Sequence, residues 1–196
     1  MGDERTEQRR RQIMDAVIDV TVDGGLAAAT FRTVAEQAGV SVRLVQYYFG
    51  DKRQLLADTL TYVQLDIADL VTSTTATLGD EPTARQVLEG IGDAFLPVDE
   101  RRRRAMLVFL AFGTAALTDE SLQGPAALRR GQGLADVLAE QLRRERADEH
   151  VEDDAMLLLM AIVGLGNGIL AGDVSVAHAR RLLARAVDRA LGTDQA

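Results

Sequence analysis

The stretch that most constrains this chain is residues 30–49, Thr-Phe-Arg-Thr-Val-Ala-Glu-Gln-Ala-Gly-Val-Ser-Val-Arg-Leu-Val-Gln-Tyr-Tyr-Phe. It reads as two short helices joined by a tight turn. Thr30 is placed to cap the first, its hydroxyl accepting from a free backbone N–H of the opening turn. Val34, Ala35 and Ala38 give that helix a small apolar face. Gly39 supplies the left-handed residue that ends it, and Val40 fills the corner. Ser41 caps a second helix in which Val45 and Phe49, four apart, face inward. Val42, Arg43, Leu44, Gln46, Tyr47 and Tyr48 are left facing outward. A guanidinium, an amide and two phenols on one short helix suit phosphate oxygens and base edges. An ordinary helical hairpin is the alternative.

At 196 residues the chain is long enough to bury a core without staples, as one domain or as a small domain fused to a larger one. It has no cysteine, which excludes disulfides and thiolate metal sites. The polar start is not a secretory signal. The longest apolar stretch, residues 155–171, is cut by Gly164, Gly166, Asn167 and Gly168 and is barely long enough to span a bilayer, so no membrane segment is expected. A cytoplasmic location follows as the default.

The net charge of −8 argues at first against a polyanionic partner. Its distribution matters more. Residues 30–54 carry Arg32, Arg43, Lys52 and Arg53 against Glu36 and Asp51, a local positive excess, while most acidic residues come after residue 60. The Arg9-Arg10-Arg11 run upstream is of a kind that is ordinarily a solvated face, with contact to DNA phosphates as the alternative.

Around this unit the chain reads as helices. An amphipathic helix over residues 6–23 buries Ile13, Ala16, Val17 and Val20 and stops at Gly24-Gly25. Asp51 caps a long helix that begins at Lys52. A helix over residues 82–95 starts with Pro82 in its first turn. Asp99 caps the next, which opens with four arginines, residues 101–104. Others follow from Pro125 to about Arg146, from Glu152 to Ala171, and after a Ser175 cap. No alternating strand pattern appears, so the expected class is all-α.

A three-helix unit ending in this turn, then a long helix and an all-α bundle, resembles the TetR family of transcriptional regulators. The resemblance rests on Thr33-Val34-Ala35-Glu36-Gln37-Ala38-Gly39-Val40-Ser41 and on Tyr47-Tyr48-Phe49-Gly50-Asp51-Lys52-Arg53-Gln54-Leu55-Leu56. The remainder, particularly Phe95-Leu96-Pro97-Val98-Asp99-Glu100-Arg101-Arg102, is similar to the regulatory domain of the choline-responsive BetI branch. It implies a helix-turn-helix DNA-binding domain over residues 1–51 and a regulatory ligand-binding and dimerisation domain over 52–196.

The resemblance places the recognition helix on residues 41–48. It implies DNA contacts from Thr30, Arg32, Thr33, Ser41, Val42, Arg43, Leu44, Gln46, Tyr47, Tyr48 and Lys52. Tyr47 stands where an aromatic packs on the sugar-phosphate backbone, and Lys52 where an ammonium meets a phosphate. This chain departs from the family pattern at Arg43, Leu44 and Gln46. Leu44 forfeits an expected hydroxyl contact, while Arg suits guanine O6/N7 and Gln suits adenine N6/N7. An operator unlike those of relatives with the common pattern is therefore expected.

The implied mechanism is a homodimer that presents two recognition helices to successive major grooves of a palindromic double-stranded operator, roughly 34–36 Å apart or a multiple of that. A small-molecule effector would release it. Candidate dimer residues are Leu157, Ala161, Gly164, Leu165, Gly168, Leu183 and Val187; packing inside one subunit is the alternative. Candidate effector-lining residues are Tyr62, Phe95, Phe109, Phe112, Met160 and Asn167, with the Phe and Met side chains equally able to be core. With 4% aromatic residues and no Trp, an aromatic cage for a quaternary ammonium is not evident, and the ligand class stays open.

No catalytic residue, metal site or cofactor is expected. His150 and His178 belong to no His-Glu-x-x-His or Ser-His-Asp pattern, and Asp153 and Asp154, being adjacent, point to different faces of a helix. An activator of the same fold, or a protein-binding adaptor that has lost DNA binding, are the alternatives to a repressor.

Overall fold

The computed structural model describes residues 2–119, 125–146 and 148–193. They form nine α-helices and one short 3-10 turn, with no strand among the described residues. In order these are α1 (Gly2–Gly24), the turn Leu26–Ala28, α2 (Phe31–Gln37), α3 (Val42–Phe49), α4 (Lys52–Ala76), α5 (Ala84–Ala94), α6 (Glu100–Ala116), α7 (Pro125–Arg143), α8 (Val151–Ala171) and α9 (Val176–Ala190). The all-α reading is met.

Packing divides the chain into two compact units. The first takes residues 1–65 with 107–127, the second residues 66–106 with 128–196. The early part of α4 and most of α6 thus group with the first three helices, whereas the sequence marks its change of character at residue 51.

In the first unit, Ile13 and Val17 of α1, Val34 of α2, Val45 of α3 and Leu55 of α4 are wholly buried. These positions recur at helical spacing, so each short helix gives one stripe to a shared core. Each such side chain contributes about 1.5–3 kcal/mol by leaving water. That matters most for α2 and α3, at seven and eight residues too short to persist alone.

The second unit is built on Leu88 and Ile91 of α5, Leu138 and Leu142 of α7, Leu158 and Ile162 of α8, and Leu183 and Val187 of α9. Two glycines allow its closest approaches. A Cβ at Gly92 would run into the Leu183 side chain, and one at Gly166 would meet the Met106 side chain and come within 3.2 Å of the Phe95 carbonyl oxygen.

Helix starts correct one expectation. Pro82 precedes α5 instead of opening it, because Thr83 is the cap. Its hydroxyl accepts from Gln86 N (3.2 Å), and the Gln86 side chain accepts from Thr83 N (2.9 Å), a reciprocal capping box. Asp99 does cap α6, accepting from Arg102 N at 2.9 Å. Two of the four arginines there are offset by specific partners: Arg101 pairs with Asp66 (2.5 Å) and Arg102 with Asp93 (3.2 Å). Among the described residues α8 is the one helix long and apolar enough to cross a membrane. One side of it packs in the core just described.

Candidate nucleic-acid interface

The helix-turn-helix is held by local chemistry at each corner. Thr30 sits in extended backbone (φ −105°, ψ 160°), and its hydroxyl accepts from Thr33 N at 3.2 Å. The Thr33 hydroxyl in turn donates to the Ala28 carbonyl at 2.6 Å. Thr33, expected to face DNA, therefore has its proton engaged in fixing the start of α2. At the turn Gly39 takes φ 63°, and Val40 N donates back to the Ala35 carbonyl at 2.9 Å. The Ser41 hydroxyl accepts from Leu44 N at 3.2 Å and starts α3.

With Val45 and Phe49 buried, α3 turns its other side outward. Val42, Arg43 and Gln46 are exposed, and Tyr47 is 79% exposed. Leu44 and Tyr48 are only half-exposed. They flank the outward face instead of forming its centre. Tyr48 meets Tyr47 edge-on, ring centroids 5.2 Å apart. Lys52 and Arg53, exposed in the first turn of α4, and Arg32 on α2 add three cations. A large exposed phenol beside a guanidinium and an amide has the chemistry to hydrogen-bond base edges and to pack on a sugar-phosphate backbone. By contrast the open cleft of about 410 Å³ between α1 and α2 has Asp23 and Glu36 in its wall and repels phosphate.

Both helices of the helix-turn-helix are positioned from α1. Gln12 donates to the Ala38 carbonyl at the end of α2 (2.7 Å), and Gln37 donates to Asp19 (2.9 Å). Arg10 donates to the Tyr48 carbonyl in the last turn of α3 (2.8 Å), pairs with Asp58 of α4 (2.5 Å) and lies over the Phe49 ring at 4.6 Å. Sequence alone presents Arg10 as one member of a charge run and misses this role. Its helical phase carries the signal, since residues 10, 13, 14 and 17 share a face and Ile13, Met14 and Val17 are buried.

The residues expected to line an effector site are divided between the units. Tyr62 and Phe109, both half-buried, and Phe112, fully buried, belong to the first; Phe95, Met160 and Asn167 belong to the second. Neither unit holds all six. Phe95, half-buried at the C-cap of α5, packs against the second core. Met160 is 55% exposed and Asn167 is exposed, so neither lines the interior of its unit. Both fall on the outer side of α8 with Leu157 (67% exposed) and Gly164, while Ala161 and Gly168 border it. A Cβ on Gly164 would meet nothing within 4 Å.

Three expected dimer residues are placed differently. Leu183 and Val187 are buried in the chain's own core, where α9 packs on α5 and α8, and so cannot form an outer face. Leu165 is half-buried against that core. For Leu165 the physical reason is that α8 is apolar around most of its circumference, so hydrophobicity alone does not fix its phase; α9 is amphipathic, and its apolar stripe is taken up by the chain's own core.

Comparison with known proteins agrees with this geometry. Residues 13–59 match the family model for bacterial regulatory proteins of the tetR family, and residues 84–192 match the C-terminal model of the BetI-type transcriptional repressor. The chain is 32% identical over 155 residues to the HTH-type transcriptional regulator BetI of Burkholderia mallei, covering 78% of each. Among solved structures, a transcriptional regulator from Rhodococcus sp. Rha1 is 27% identical with a TM-score of 0.75, covering 93% of this chain and 94% of its own. The multidrug binding protein EbrR, solved with imidazole, is 26% identical with a TM-score of 0.66, covering 91% and 94%. The BetI and Rhodococcus relatives are transcriptional regulators and not enzymes. A capped helix-turn-helix with a basic, aromatic outer face, followed by a helical bundle of this type, places the chain in the TetR family of DNA-binding transcriptional regulators.

Proposed function

We propose that the chain is a cytoplasmic repressor that binds a palindromic double-stranded operator as a homodimer and is released by a small-molecule effector. Residues 1–51 act as the DNA-binding domain and residues 52–196 as the regulatory and dimerisation domain. The observation that carries the reading is the outer face of α3, where Arg43, Gln46 and Tyr47 are exposed together on a helix whose other side is locked into a core. Of the residues that touch DNA, Arg43 and Gln46 read base edges. Tyr47, Lys52, Arg32, Thr30, Ser41 and Val42 meet the backbone. Leu44, Tyr48 and Thr33 shape and hold the helix.

The homodimer is supported by the outer side of α8. Met156, Leu157 and Met160 leave a contiguous apolar strip exposed, with Ala161, Gly164 and Gly168 small enough for a second helix to approach closely. Asn167 on that strip supplies an amide for a hydrogen bond across the two-fold axis. Effector release is supported by the BetI-type match of residues 84–192 and by the ligand held by EbrR. A release factor of about 100 corresponds to only about 2.7 kcal/mol of coupling.

Selection of duplexes from a randomised library by the purified protein tests this directly. The expected product is an inverted repeat bound by an even number of chains, with half-sites one helical turn or a multiple apart. Enrichment of no sequence would overturn the reading. A reporter carrying that site over its promoter separates repressor from activator, since a repressor lowers transcription until a releasing compound is added.

A further inference from the structure

We infer that Arg10 is a positioning residue for operator reading, setting the pose of α3 without touching DNA. This rests on the assignment of α3 as the reading helix.

Three observations converge on one guanidinium. One arm donates to the Tyr48 carbonyl, among the last four carbonyls of α3, which have no partner within the helix. A positive side chain there satisfies that acceptor and sits at the negative end of the helix dipole. The other arm pairs with Asp58 on α4 at 2.5 Å, and Asp58 is itself steadied by Gln54 Nε2 at 2.6 Å. The flat of the guanidinium covers the Phe49 ring, the buried anchor of α3. Arg10 thereby joins α1, α3 and α4 at a single point.

Gln12, on the next part of α1, does the same for α2 by donating to the Ala38 carbonyl. Each helix of the helix-turn-helix unit is thus closed at its carbonyl end by a side chain from α1. The pair fixes both the depth and the rotation of the unit. Arg10 is the more consequential, because α3 has just eight residues and its outward side chains project from a short lever. A misplacement of about 1 Å breaks a bidentate contact to a base edge, whereas flexible phosphate contacts tolerate it.

That difference sets the expected phenotype. Losing Arg10 lowers the preference for operator over unrelated duplex and leaves the electrostatic share of binding alone. Arg9 and Arg11 fall on the outward side of α1 and have no such role; Arg9 donates to Gln12.

The test uses the full chain and the duplex that it selects from a random library. Operator and scrambled-duplex affinities are measured for Arg10→Ala, Asp58→Asn and the double variant across a salt series. Arg10→Ala is expected to cut the operator-to-scrambled ratio about tenfold, as loss of a charged hydrogen bond implies. The log–log salt slope should stay unchanged, and the double variant should be no worse than Arg10→Ala. A slope reduced by about 0.9 for each Arg10 in the bound homodimer would mean that Arg10 meets a phosphate, and would overturn the proposal. So would a lower melting temperature with an unchanged ratio, the mark of a purely structural pair. If Arg10→Ala does not fold, Asp58→Asn carries the same readout, with a ratio that must fall. Failure of the unaltered chain to select any duplex would instead remove the regulator reading, a separate result.

Discussion

The Asp93 carboxylate accepts from Arg180 Nε at 2.7 Å, tying the end of α5 to α9. Arg102 completes the node, donating to both the carboxylate (3.2 Å) and the carbonyl (3.1 Å) of Asp93. Burial pushes this carboxyl upward, but the hydrogen bonds and charges of Arg180 and Arg102 outweigh it and hold it below its ordinary 3.8. With the folded pKa depressed, the node stabilises the fold fully above the unfolded pKa. That contribution is lost as pH falls through the folded value. Asp93→Asn should therefore cost about 1–2 kcal/mol at neutral pH, the modest end for a charged hydrogen bond because the Arg180 side chain is half in solvent. Below about pH 4 the gap between variant and parent should narrow, as read by urea midpoints across a pH series; a constant gap would rule the ion pair out as its source.

Gly39→Ala isolates a single backbone term. A Cβ at this position meets no atom within 4 Å, so nothing collides. The φ of 63° alone disfavours a side chain, at about 1–2 kcal/mol. Thermal unfolding should show a loss of that size with DNA specificity retained. A larger loss, or an altered base preference, would show that the turn also sets the angle between α2 and α3.

These two cases mark what the sequence makes legible. The caps at Thr30, Ser41 and Asp99 and the turn at Gly39 act over three or four residues, so their chemistry is written locally. Arg10 acts on residues 38 and 48 positions further on, and only its phase with Ile13 and Val17 hints at it. Asp93 and Arg180 lie 87 residues apart and carry no local sign at all. Within α8, apolar side chains point in nearly every direction. Sequence finds the helix but not which side is inner, which is why it turns Met160 and Asn167 inward when both lie outside. On α9 the buried apolar side chains keep to one face, and Leu183, which the resemblance alone assigns to a dimer interface, lies on that face in the core. Gly166 resolves the phase only once Met106 and the Phe95 carbonyl are seen against it.

Leu157→Glu tests the outer side of α8. Leu157 is the most exposed apolar residue of that strip, and the fold of its own chain does not depend on burying it. The substitution should leave the melting temperature of the chain nearly unchanged when dimer dissociation is allowed for. Two carboxylates brought together at a two-fold axis should weaken association by at least about 2 kcal/mol, or roughly thirtyfold. Sedimentation should show monomer at micromolar concentration, with operator binding lost in parallel. A variant that sediments as the parent does would place the interface elsewhere.

Arg43 and Lys52 should separate reading from holding. Arg43 is exposed on α3 with a guanidinium able to reach guanine O6 and N7, while Lys52 sits at the first residue of α4, at the edge of the same surface. Arg43→Ala should flatten base preference at one position of each half-site by about 1–3 kcal/mol and leave the others intact. Lys52→Ala should weaken binding to all duplexes alike and reduce the log–log salt slope by about one for each phosphate that its ammonium neutralises. Both are read from one experiment, binding to a library of single-base operator variants at several salt concentrations. An unchanged base profile for Arg43→Ala would move the reading role to Gln46 and Tyr47, because they are the remaining polar side chains exposed on that face of α3.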